Sequence, residues 1–288
     1  MSIRKVLLPL TSTRAGEAAL IAAWTVARTF GAHLTAVHVR SDSRDVAPLA
    51  GEGLSGAMIQ DMMAATETES TRRADAVRAM FDQFVAKHNV PLAPESMETK
   101  GAHVGYLGVV GREEDMVAQL ARLADLTVVP HPEADEDLSS SDALHAVLFD
   151  SGRPVMVAPI EAPSSIGRRV AVAWNGSAES AAALSAGLPW LRQAEAVRIL
   201  VSDEYQRRGP LAPAVAEYLR FHGVRAEVAT FRSIDREVGA GLLAAAREFR
   251  ADLMTQGAYS HSRIRQLILG GVTRHVLEHA ALPVLMNR

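Results

Sequence analysis

Cysteine is absent from the 288 residues of this chain. That excludes disulfides, thiol nucleophiles and thiolate-held metal or iron–sulfur centres, and it fits a reducing compartment. Aromatic residues make up only 5% of the sequence, and no stretch approaches the ~18 uninterrupted apolar residues that span a bilayer. Neither sign of charge dominates. A net charge of -3 gives no general attraction to nucleic acid or anionic membrane, and no local basic patch stands out beyond Arg263, Arg265 and Arg274. The N-terminal apolar run is short, interrupted by Pro9 and followed by polar residues, so it does not read as a secretory leader. A soluble, cytoplasmic protein without nucleic-acid or membrane partners is the expectation.

What is present is a globular balance of 48% hydrophobic and 22% charged residues, enough to bury a real core, and a chain that repeats itself. "RKVLLPLTSTRAGEAAL" from Arg4 and "RRVAVAWNGSAESAAAL" from Arg168 share a β-rich run, a polar turn and an Ala-rich helix. "ADLTVVPH" from Ala124 matches "ADLMTQGA" from Ala251, and "RPVMVAPI" matches the terminal "LPVLMNR". The repeat predicts an internal duplication, with domains at 1–160 and 168–288 and a Pro/Ser/Gly-containing linker between them.

Strand-like runs alternate with helical patterns in both halves, which predicts parallel sheets covered on both faces. The first half reads as strands near 3–10, 33–39, 95–99, 125–130 and 154–158, separated by helices over 14–30, 54–88, 112–123 and 140–150. The second reads as strands over 168–174, 197–202, 225–230, 252–256 and 283–287, with helices over 178–191, 211–222, 235–249 and 262–279. Right-handed crossovers then give an α/β fold of two tandem, doubly wound, open parallel five-stranded sheets with helices on both faces, Rossmann-like. Met58, Met62 and Met63 read as core or interface filling.

Ligands of such sheets bind beyond the carboxyl ends of the strands. Two loops there are unusual: "WNGS" from Trp174, and "GAYSHSRIRQLILGGVTRH" from Gly257. The second brings Ser260, Ser262 and Thr273 as hydroxyls, Arg263 as a cation, and Gly257, Gly270 and Gly271 where backbone N–H groups can be approached. Such a surface suits an anion near a helix N-terminus; ordinary turn glycines are the plainer alternative.

The first-strand pattern, the "ADL" strand, the "GAYSHSRIRQLILGGVTRHVL" segment and the closing "LPVLMN" strand resemble the universal stress protein family, here with two copies in one polypeptide. The resemblance implies a stress-response regulatory protein that binds an adenine nucleotide, ATP or AMP, with any Mg²⁺ merely accompanying it. It also implies that the halves pair as an intramolecular pseudo-dimer through their closing strands; a homodimer of whole chains is compatible with it. ATP-binding members carry Gly, two residues, Gly, nine residues, Gly, then Ser or Thr. This chain has Gly257, Ser260 and Gly270 at the glycine positions and Gly271 at the hydroxyl position, so Thr273 is the candidate replacement hydroxyl. Where the family tends to place Asp after the first strand stand Asn175 and, in the first half, Thr11. Asn175 retains an acceptor oxygen. The resemblance thus gives Asn175, Gly257, Ser260, Ser262, Arg263, Gly270, Gly271 and Thr273 as nucleotide-binding residues. The first half departs further: Pro130 stands where the second has Gly257, and Glu133, Asp135, Glu136 and Asp137 put carboxylates where phosphates need donors. At most one site per chain is expected, in the second half.

Other motifs compete poorly. His275, Glu278 and His279 match H-x-x-E-H, but only nine residues follow, too few for a downstream zinc ligand. "WNGS" is not a nucleophile elbow, and no Ser–His–acid set is spaced for catalysis. His103, His131 and His145 read as surface or capping residues. With no general base or Mg²⁺-binding acidic pair evident, at most weak ATP hydrolysis is expected. The alternative function is an interaction module with a vestigial crevice.

Overall fold

The computed structural model describes residues 2–42, 55–94, 100–132, 142–206, 209–259 and 271–288. The first half runs β1 (Lys5–Pro9), α1 (Arg14–Phe30), β2 (His33–Arg40), α2 (Gly56–His88), β3 (His103–Val110), α3 (Glu113–Ala121), β4 (Leu126–Val129), α4 (Asp142–Ala146) and β5 (Val155–Val157). A π-helical turn, Val147–Ser151, prolongs α4. The second half runs β6 (Arg169–Ala173), α5 (Ala178–Leu191), β7 (Ala196–Val201), α6 (Ala212–Phe221), β8 (Ala226–Thr230), α7 (Val238–Glu248), β9 (Leu253–Gly257), α8 (Gly271–His279) and β10 (Val284–Asn287).

The strand order is β3-β2-β1-β4-β5-β10-β9-β6-β7-β8. All pairs within a half are parallel, and each half has the same order, with its first and fourth strands adjacent. The two five-stranded sheets are fused at an antiparallel seam, Val157 opposite Val284 and Val155 opposite Met286, into a single ten-stranded sheet. Side-chain alternation distributes each central strand over two apolar layers. Val6 and Leu8 enter one layer and Leu7 the other, just as Val170 and Val172 part from Ala171. Residues such as Val6, Leu7 and Leu8 are wholly buried, as expected of strands covered on both faces. Each layer contains side chains from both halves.

The repeat has local causes. Thr13 Oγ1 accepts from the Gly16 amide and Ser177 Oγ from the Ser180 amide, each at 3.1 Å, so both halves start their first helix with the same hydroxyl cap. The aspartate of each "ADL" ties the fourth strand to the start of the first. Asp125 accepts from the Arg4 and Lys5 amides at 2.7 and 3.0 Å. Asp252 accepts from Ser165 Oγ at 2.6 Å, the Gly167 and Arg168 amides at 3.1 Å and the Arg169 amide at 2.8 Å, and so also fixes the linker.

Several expectations need correction. The third strand is His103–Val110 rather than near 95–99, a span outside the described residues. "HVGYLGVV" carries two glycines and no apolar–polar alternation, yet it pairs with β2 over its whole length. Consequently His103 is buried, its ring 4.6 Å from that of His33. His131 is buried as well, with Nδ1 2.6 Å from the Pro132 carbonyl, so neither histidine lies at the surface. Met58 and Met62 are 50% and 42% exposed, because α2 buries nothing before Ser70, which excludes core filling and leaves interface filling untouched. The helix expected from 235 starts at Val238, since Asp235 and Arg236 take left-handed backbone angles with φ of 50° and 66°.

Candidate functional site

The loops after β6, β7 and β9 meet the first turns of α7 and α8 around an open cavity of about 490 Å³, solvent-filled mouth included. Its polar lining is Asn175, Ser180, Ser202, Tyr205, Gln256 and Thr273; Trp174, Leu200, Phe231, Leu242 and Val272 supply apolar walls. Among the described residues, no Asp, Glu, Lys, Arg or His lines it.

Gly257 closes β9 against the start of α5. A Cβ there would stand 2.5 Å from the Ser180 amide nitrogen and 2.6 Å from the Glu179 carbonyl carbon, so only glycine permits this approach. Asn175 Oδ1 accepts from the Ser177 amide at 3.1 Å, an Asx turn that commits the oxygen expected for a ligand. The side-chain amide's N–H groups are therefore its main offer to the cavity. Trp174 Nε1 donates to the Pro210 carbonyl at 2.8 Å, which turns the indole into the wall.

Gln256 Nε2 donates to Thr273 Oγ1 at 3.5 Å, which links the end of β9 to the first turn of α8. Gln256 and Ser202 are 5% and 4% exposed, and Gln256 Oε1 and Ser202 Oγ have no hydrogen-bond partner among the described residues. An unmade bond of this kind costs about 1–3 kcal/mol, a cost removed when a ligand group fills it. Beside the rim, burial pushes the Tyr259 hydroxyl up to about 12.

Of the residues expected from the sequence, Asn175, Gly257 and Thr273 share the cavity lining. Gly271 is the first residue of α8 and is exposed. Ser260, Ser262, Arg263 and Gly270 lie outside the described residues, as do Glu133, Asp135, Glu136 and Asp137. The sequence did not single out Ser202, Tyr205 or Gln256. Their positions beyond the second strand and at the end of the fourth, on the carboxyl side of the sheet, were the available signal.

In the first half, Thr11 occupies the position of Asn175 and Gly16 that of Ser180. A Cβ at Gly16 would lie 2.6 Å from Thr11 Oγ1, so this loop folds down onto the helix that it precedes. The H-x-x-E-H residues are also otherwise engaged: His279 Nδ1 is 2.9 Å from the His275 carbonyl, the two imidazoles stack at 4.3 Å, and Glu278 pairs with Arg274 at 2.7 Å. Among the described residues no group of three or more His, Asp or Glu side chains is placed to hold a metal, and no helix is long and apolar enough to cross a membrane.

Residues 167–288 match the universal stress protein family. The second half of the chain belongs to that family. A universal stress protein from Archaeoglobus fulgidus is similar in structure over 99% of this chain and 98% of its own, with a TM-score of 0.64 at 16% identity. A functionally unknown protein from Pseudomonas aeruginosa covers 99% of this chain and 92% of its own, with a TM-score of 0.56 at 12% identity. The first of these likenesses extends the universal stress protein fold across the first half. Among curated proteins none matches the chain.

Proposed function

We propose that the universal stress domain at 168–288 binds an adenine nucleotide in this cavity, and that the chain is a cytoplasmic, non-enzymatic regulator with one such site. The observation that carries this reading is the convergence on one lining of Gly257, which matches the family's nucleotide pattern, with Asn175, at the position of its aspartate, and Thr273, the replacement hydroxyl. The uncharged walls accept a nucleoside, while Gly257 and the first turn of α8 form the side suited to phosphates. Gln256 Oε1 and Ser202 Oγ await donors that an amino group or ribose hydroxyl supplies. Ser260, Ser262, Arg263 and Gly270 complete the phosphate side in this reading, and Mg²⁺ enters only with the nucleotide. The domain at 1–160 pairs with the second as an intramolecular pseudo-dimer through β5 and β10, and Thr11, packed onto its helix, supports the loss of its own site.

Calorimetric titration of the full chain with ATP tests this reading. Wild type is expected to bind saturably, and Thr273→Val to bind about tenfold more weakly through loss of one hydroxyl. Gly271→Ser restores the family's hydroxyl position. A Cβ at Gly271 meets nothing within 4 Å, so the change fits, and it is expected to tighten binding by about fivefold. No heat from either wild type or Gly271→Ser at millimolar ATP would overturn the nucleotide reading in favour of an interaction module with a vestigial crevice.

A further inference from the structure

Two residues after Gly257, the backbone of Tyr259 takes φ 57°, a left-handed conformation that a bulky side chain keeps only where its surroundings fix it. The first half provides that fixation. His145 Nε2 lies 3.2 Å from the Tyr259 hydroxyl, and the Phe149 ring packs on the Tyr259 ring at 5.0 Å between centroids, inclined by 56°. The guanidinium of Arg288 stands 4.7 Å from the centre of the Phe149 ring. Thus the last helical segment of the first half touches both the exit from β9 and the end of the chain.

Phe149 lies within the π turn. From His145 to Pro154 there are nine positions, against eight from His275 to Pro283 in the repeat, and a π turn absorbs one extra residue. The insertion is therefore confined to the half, and to the helix, that reaches across to Tyr259. The contact has no mirror image, since Pro132 stands at the repeat position of Tyr259.

We infer that the first half positions the second-half site: His145 and Phe149 are positioning residues that set the backbone of Gly257–Tyr259 at the cavity rim. The consequence for ligand affinity rests on the nucleotide reading above; the positioning itself does not. Gly257 lines the cavity, and the Ala258 amide donates to the Asn287 carbonyl at 3.0 Å, so a displaced Tyr259 disturbs both. Burial keeps the Tyr259 hydroxyl protonated far above neutral pH, available to His145 as a hydrogen-bonding group.

The test uses the full chain with Phe149→Ala, Phe149→Leu and Tyr259→Phe, read by amide hydrogen exchange without ligand and by ATP titration. Phe149→Ala is expected to speed exchange at Ala258 and Tyr259 and to weaken ATP binding, each by about tenfold, a usual size for coupling between sites. Exchange in β1 and β6 should not change. Phe149→Leu keeps apolar bulk and should recover most of the loss; Tyr259→Phe keeps the ring but lacks the hydroxyl, and should weaken binding by about threefold. Unchanged exchange at Ala258 and Tyr259 in Phe149→Ala overturns the positioning role. Faster exchange with unaltered ATP affinity overturns its consequence for the site. If Phe149→Ala does not fold, Tyr259→Phe decides by the same two measurements. Should wild type bind no ATP, the nucleotide reading fails and the exchange measurement alone decides the positioning.

Discussion

Replacing Gly257 with alanine is expected to weaken ATP binding about a hundredfold in calorimetric titration of the intact protein. The added methyl would overlap the backbone at Glu179 and Ser180, which belongs to the first turn of α5 and has no rotamer to give. Either α5 or the end of β9 must retreat. Ser180 and Gly257 both line the cavity, so either movement alters its shape. Overpacking of this kind costs about 1–3 kcal/mol, and about 2.7 kcal/mol of lost binding is a hundredfold in Kd. Gly56→Ala is a suitable control, because its Cβ meets nothing within 4 Å and its backbone is the helical start of α2 in the first half. Equal affinity in Gly257→Ala and wild type would remove Gly257 from the site.

The second large effect concerns stability. Asp252→Ala removes the acceptor of four hydrogen bonds at once, from Ser165, Gly167, Arg168 and Arg169. Hydrogen bonds to a charged group contribute about 1.5–3 kcal/mol each when lost singly, but these four share one carboxylate, and the exposed amides recover water. A net loss of about 3 kcal/mol follows, which lowers Tm by about 5 °C in a protein of this size. Asp125 holds only the Arg4 and Lys5 amides, so Asp125→Ala should lower Tm by about half as much. Thermal melts of the two variants check the ranking. Equal shifts would mean that Ser165 and the Gly167 amide add nothing, and that the linker is not held by Asp252.

Much of the fold was legible because its signals are local. Thr13 and Ser177 announce helices by their caps, the two "ADL" aspartates recur because each clamps a first strand, and uninterrupted apolar strands signal burial on both faces. The third strand escaped notice because Gly105 and Gly108 break the pattern; what holds it is non-local pairing with β2, not propensity. The lining of the candidate cavity was legible in part. Asn175, Gly257 and Thr273 stood out by their loops and the family resemblance, whereas Gln256 and Ser202 are ordinary polar residues until folding buries them in one cavity. The use of Asn175 Oδ1 in a turn is also invisible to spacing, because it depends on the path that the chain takes at Ser177.

The seam between β5 and β10 has a genetic as well as a mechanical consequence. When two separate, identical chains meet along a two-fold axis, every substitution is made on both sides of it. Here the two partners are encoded apart within one reading frame, so a change at Phe149 or Pro130 alters one side only. Covalent fusion thereby lets the two sides of the seam differ, with no need for unlike subunits to find each other.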